Sequence, residues 1–144
     1  MATIKESSTN QENKQAILNY CPVTVTLSKI GGRWKPLILY NLRPGMLRYA
    51  QLKKAIPGIT EKMLIQHLKQ LEADNLVHRE AKPVVPPYVT YSLTPSGLRL
   101  NSVLYAMAAW SVEDSRINSN DIYKDLGDFP GMNKAEETNM GMVL

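Results

Sequence analysis

The chain of 144 residues has one cysteine, two histidines and no long apolar run, and each scarcity closes off a class of function. With Cys21 alone no disulfide framework can form, so the cytoplasm is the expected compartment. A metal centre would have to draw on Cys21, His67, His78 and carboxylates at unrelated spacings, so neither metal nor cofactor is expected. No stretch approaches the roughly 18 apolar residues of a membrane span. The opening segment, MATIKESSTNQENKQ, has no apolar signal-peptide core. There is no paired-carboxylate, Ser/His/Asp or phosphate-loop pattern, and the histidines have no evident partner. No catalytic residue is therefore assigned, and an enzyme is not expected. The 44% apolar content suits one domain with a real core.

What is present is an uneven distribution of charge. The net charge is only +4. Residues 29–82, however, hold eleven Lys or Arg against four acids, a net of +7, while residues 112–144 carry −4. Between them, residues 83–111 contain one Arg and no acid. A basic solvated surface would account for this, but concentration around one helix favours a polyanion partner.

Punctuation by Gly and Pro divides the chain. Asn10 to Tyr20 suits a short helix. Pro22 suits the first turn of a helix running to Ile30, with Val23, Leu27 and Ile30 as its apolar edge and Gly31-Gly32 as its stop. Trp34 to Leu42 is strongly apolar, and Arg48 to Ile56 places Tyr49, Leu52 and Ile56 inward. After the Pro57-Gly58 turn, Thr60 is a good N-cap for a helix over Thr60–Asn75, and Glu61 suits its positive end. At 100° per residue, Leu64, Leu68 and Leu71 fall within about 60° of one another and form a buried edge. Lys62, Gln66, Lys69 and Ala73 lie opposite. Glutamine can bond adenine bidentately, and lysine can reach guanine or phosphate.

LVHREAKPVVPPYVTYSL follows at once and reads as a hairpin. Val89, Tyr91 and Leu93 alternate with Tyr88, Thr90 and Ser92, as for a strand with one buried face. Pro83, Pro86 and Pro87 stiffen its tip, which Arg79 and Lys82 approach. The main small fold that sets a polar, cationic helix directly before a proline-cornered basic hairpin is the winged helix-turn-helix of DNA-binding proteins. Thr94-Pro95 then reads as N-cap and N1 of a last long helix, apolar almost all round from Leu98 to Val112. Such a helix needs a second surface, and a homodimer is the simplest supplier.

The motifs CPVTVTLSKIGGRWKPLILYNL, RYAQLKKAIPGITEKMLIQHLKQLEADNLVHRE and PPYVTYSLTPSG resemble those of the HxlR-type, MarR-like bacterial winged-helix transcriptional regulators. The similarity covers roughly Cys21 to Trp110. It implies a mainly α fold with a small β-hairpin wing, and a cytoplasmic homodimer joined through terminal helices. It also implies an inverted-repeat operator on double-stranded DNA, with recognition helices in successive major grooves and wings on the flanking backbone. The expected organisation is an N-terminal, dimer-associated arm or helix over residues 1–20, the winged domain with its dimerisation helix over 21–112, and an acidic extension or flexible tail over 113–144. DNA-binding candidates are Arg48, Thr60, Lys62, Gln66, Lys69, Arg79 and Lys82. One departure stands out: the family usually carries Arg after the Pro-Pro pair and Glu two residues later, where this chain has Tyr88 and Thr90. Arg79 or Lys82 is left to supply the wing contact.

Cys21, just before Pro22 at a helix start, sits where the dipole favours a thiolate. Several relatives use the cysteine at this motif to sense oxidants or electrophiles, which the resemblance extends to Cys21 as a candidate; a small buried cap residue without chemistry is the other reading. As the sole cysteine it has no resolving partner within its own subunit, so a disulfide would join two chains or a small thiol. A small-molecule effector between wing domain and dimer helices, near Tyr105, Met107 and Trp110 and without cysteine chemistry, is the alternative. Those three residues also suit a core.

Overall fold

The computed structural model describes Glu12, Ala16 and residues 21–118. Within them run α1 (Pro22–Ile30), α2 (Trp34–Leu42), β1 (Leu47–Arg48), α3 (Tyr49–Ala55), α4 (Glu61–Ala73), β2 (Val77–Lys82), β3 (Tyr88–Leu93), α5 (Pro95–Arg99) and α6 (Asn101–Ile117). The chain divides into two compact units, Met1–Thr94 and Pro95–Leu144. The helix expected over Asn10–Tyr20 lies outside the described residues except at Glu12 and Ala16, both helical. The acidic stretch beyond residue 118 lies outside them too.

In the first unit each boundary has a local cause. Pro22 occupies the first turn of α1, where a missing N–H costs nothing. At its end the Gly31 N–H donates to the Leu27 carbonyl at 2.7 Å. A Cβ at Gly31 would run into that same oxygen, and Gly32 takes φ +92°, so both glycines are needed, for different reasons. Thr60 caps α4, its hydroxyl oxygen accepting from the Met63 N–H at 3.2 Å. The far end of α4 closes as a Schellman motif. Asn75 adopts φ 57°, its N–H donates to Glu72 O at 3.0 Å, and Leu76 N–H donates to Leu71 O at 2.9 Å. Leu71 and Leu76 are both buried, which supplies the apolar contact that accompanies this motif.

The core gathers Ile30, Ile38, Leu39, Leu42, Leu52, Ile56, Leu64, Leu68, Leu71 and Val77, all fully buried. Helix α4 packs against α1, α2 and β2, and α2 also meets α3 and β3. The sheet order is β1-β3-β2, antiparallel throughout. Strand β1 corrects the expectation of a helix starting at Arg48. Leu47 and Arg48 pair with Tyr91 and Thr90 before α3 begins, and the Arg48 N–H donates to Gln51 Oε1 at 2.9 Å. This extra strand makes β3 central. Thr90 (5% exposed) and Tyr91 (7%) are therefore both buried, and the expected single buried face of β3 becomes two. The expected apolar edge of α1 is likewise only partly covered: Ile30 is buried, whereas Val23 is 66% exposed.

Thr94 does not simply cap a following helix. Its hydroxyl donates to the Asn75 carbonyl at 2.6 Å and its N–H to Leu76 O at 3.1 Å, tying the end of β3 to the end of α4. In the second unit the expected single helix is two. Leu100 N–H turns back to Gly97 O at 3.1 Å, and Ser102 Oγ donates to Arg99 O at 3.2 Å, occupying a carbonyl at the break. The apolar side of α6 is open: Val103, Met107, Trp110 and Ile117 are exposed, and Ser115 is its one buried residue. Among the described residues no helix is long and apolar enough to cross a membrane.

Candidate nucleic-acid interface

The three leucines that anchor α4 leave Lys62, Gln66 and Lys69 exposed on its other side, together with Ile65. A helix whose inward edge is fully buried has a fixed rotation about its axis. The outward residues are therefore held in place as a group. Thr60 stands at the start of this surface, and its oxygen is already engaged as the N-cap acceptor.

Between α4 and the wing runs a groove of about 700 Å³, lined by Arg48, Ile65, Lys69, Arg79 and Tyr88 among others. It brings together three of the sequence candidates, Arg48, Lys69 and Arg79. Lys62 and Gln66 stand outside it on the open surface of α4. The wing separates Arg79 from Lys82, which the sequence alone does not distinguish. Arg79 opposes Tyr91 and Lys82 opposes Tyr88, three residues apart along β2, so their side chains leave opposite faces of the hairpin. Arg79 lines the groove, whereas the Lys82 ammonium lies 5.4 Å from the centre of the Tyr88 ring.

Uncompensated charge is the main electrostatic property of this surface. Among the described residues no carboxylate comes within salt-bridge distance of Arg48, Lys62, Lys69, Arg79 or Lys82, whereas Arg116 and Glu113 approach to 4.0 Å. Glu72 lines the groove with Lys69 without pairing to it. Cations collected along a groove beside an exposed polar helix produce the positive potential that a phosphate backbone neutralises.

Tyr49 and Tyr88 are groove residues that sequence reasoning missed as site residues. The sequence pattern turns Tyr49 inward, and its hydroxyl is buried without a hydrogen-bond partner among the described residues. Burial raises its pKa, with the Glu61 charge adding to the effect, so the phenol stays neutral. Tyr88 had a signal, as the departure in the wing motif, but its partner could not be read from the sequence. His67 Nδ1 is also buried without a partner, and no cluster of metal-ligating side chains occurs among the described residues.

Cys21 is the N-cap of α1, in extended conformation (φ −127°, ψ 115°) and half-buried. The Thr24 backbone N–H, then the Thr24 hydroxyl and the Val23 N–H, hold its thiol below the ordinary value. Met107 and Trp110, which the alternative reading gives to an effector pocket, are exposed in the protomer.

A buried leucine edge, an outward cationic face, a following three-stranded wing and a groove of unpaired cations together define a winged helix-turn-helix of the DNA-binding class. Residues 29–118 match the HxlR-like helix-turn-helix model, and the chain belongs to that family: it is a DNA-binding transcriptional regulator of HxlR type, not an enzyme. Relatives include the HTH-type transcriptional regulators YybR of Bacillus subtilis and YtfH of Escherichia coli. YybR is 39% identical over 109 residues, which span 73% of this chain and 87% of YybR. YtfH is 41% identical over 109 residues, spanning 74% of this chain and 86% of YtfH. Among solved structures the chain is similar to the redox regulator HypR in its reduced form (42% identity, TM-score 0.62, covering 67% of this chain and 94% of that one). It is also similar to diamide-treated YodB of B. subtilis (38% identity, TM-score 0.56, covering 63% and 91%).

Proposed function

We propose that the protein acts as a homodimer on an inverted-repeat operator and that Cys21 makes its binding responsive to oxidants or electrophiles. The observation that carries the DNA-reading part is the set of unpaired cations beside an exposed, rotationally fixed α4. Lys62, Gln66 and Lys69 face the major groove; Arg48, Arg79 and Lys82 take the flanking backbone; Thr60 sets the start of the recognition helix. The exposed apolar side of α6 supports pairing through the terminal helices, with residues 1–20 contributing to the same interface. Two recognition helices would then lie roughly 34 Å apart, on half-sites about ten base pairs from centre to centre or a multiple of that.

The lowered thiol pKa supports a reactive Cys21, as does likeness to HypR, solved in oxidised and reduced forms, and to YodB, solved after diamide treatment. Alkylation, or a disulfide to a small thiol or to the other subunit, would add bulk at the start of α1. That helix packs on α4, so the change would move the recognition helices relative to each other. Selection of duplexes from a randomised pool, followed by titration of variants, tests the DNA-reading part. Lys69→Ala should weaken all duplexes alike, whereas Gln66→Ala should relax preference at one base pair by about 1–3 kcal/mol. Equal losses for both variants at every base pair would remove Gln66 from base reading.

A further inference from the structure

Position 88 carries no charge of its own, yet it is where two of the wing's cations meet. Tyr88 opposes Lys82 across the β2–β3 pair, and Arg48 on β1 opposes Thr90, two residues along β3. Opposed residues share a face, so Arg48 is the diagonal neighbour of Tyr88, within reach of a long side chain. The guanidinium carbon of Arg48 lies 3.7 Å from the centre of the Tyr88 ring, and the Lys82 ammonium 5.4 Å from the same centre. The two cations arrive from the strands on either side of β3. Neither has a carboxylate within salt-bridge distance among the described residues.

We propose that Tyr88 is a positioning residue for DNA binding, whose ring holds Arg48 and Lys82 as a pair that grips one stretch of sugar–phosphate backbone beside the wing. The proposal rests on the DNA-binding reading of the α4–wing face. The π face attracts both cations and offsets part of their mutual repulsion. Glu80, which opposes Thr90 on the same face, lies beyond salt-bridge distance of both, so a net positive potential remains that an anion with several oxygens satisfies. A guanidinium held over a ring through its central carbon still has N–H groups to offer a phosphate. The freedom that an unrestrained arginine would lose on binding is already given up in the stack, so the contact is preorganised. Arg79, on the other face of the hairpin, takes no part in this pair.

The test uses the full-length protein and a fluorescent duplex that the wild type selects from a randomised pool. Tyr88→Leu lowers affinity about tenfold while Tyr88→Phe, which keeps the ring, stays within about twofold. Arg48→Ala weakens the wild type but adds little to Tyr88→Leu. In Tyr88→Arg, which puts a cation at position 88 itself, affinity is retained and Arg48→Ala becomes tolerated. Free in solution, the Arg48 δ-methylene protons show an upfield ring-current shift that disappears in Tyr88→Leu and persists in Tyr88→Phe. Additive losses for Tyr88→Leu and Arg48→Ala, or an Arg48→Ala loss undiminished in Tyr88→Arg, would overturn the proposal and leave DNA binding intact. Failure of the wild type to select any duplex would overturn both.

Discussion

Helices α4 and α6 are both rich in apolar residues, yet only one of them is finished within the protomer. In α4 every leucine of the inward edge is fully buried, and what remains outside is mostly polar, with Met63 and Ile65 the large apolar exceptions. In α6 the apolar residues Val103, Met107, Trp110 and Ile117 stay exposed, with Trp110 at 70%. The difference separates two kinds of partner. The outer face of α4 suits a hydrated, charged surface such as DNA, because it costs nothing to leave in water until the partner arrives. The outer face of α6 suits a second apolar surface, because leaving it in water forgoes burial.

The largest effects should come from exchanging these roles. Leu68→Ala removes a buried side chain from the finished helix and should cost about 2–5 kcal/mol, read as a fall in denaturation midpoint at fixed protein concentration. Met107→Asp should instead leave the first unit folded and abolish the dimer. Sedimentation should give a monomer at micromolar concentration, or the protein should come out of solution. A wild type that is itself a stable monomer at that concentration would show that α6 completes no interface, and the contrast between the helices would lose its meaning.

A smaller effect concerns α1, which has Cys21 as its N-cap and an exposed Val23 and Leu27 beyond it. The Cys21 pKa lies below the ordinary thiol value, so the thiolate fraction, and with it the iodoacetamide alkylation rate, should reach its plateau at lower pH than for a free thiol. As pH falls through that lowered pKa the rate should decline. Thr24→Ala removes the hydroxyl contribution but keeps the larger backbone N–H one, so the midpoint of the rate profile should rise only part of the way back. A midpoint unmoved from that of a free thiol would remove the chemical reason for a switch at Cys21.

How far the sequence carried these conclusions differs from one element to the next. The orientation of α4 was legible because Leu64, Leu68 and Leu71 repeat at helical spacing and nothing in their surroundings competes with burial. Its two ends were legible from Thr60 and from the residues near Asn75, although the left-handed turn at Asn75 uses a residue less common there than glycine. Strand β1 was not legible, since two residues carry no periodicity. The two-sided burial of β3 depends on that strand and was missed with it. The break at Leu100 was hidden because the apolar pattern runs through it; only local hydrogen bonds at Gly97 and Ser102 mark it. Of the site, the cationic residues were readable one by one. The meeting of Arg48 and Lys82 on the Tyr88 ring was not, because Arg48 and Tyr88 are forty positions apart in the chain and meet only through the sheet register.

The central claim is that the unpaired cations of α4 and the wing exist to neutralise a phosphate backbone. Titrating wild-type protein against a duplex across a range of salt concentrations tests it most directly. If about five phosphates are neutralised per dimer, log affinity should fall with log salt at a slope of roughly −5. Lys69→Ala should make the slope shallower by about 1 for each cation removed, while Gln66→Ala leaves it unchanged. A flat salt response in the wild type would contradict the account.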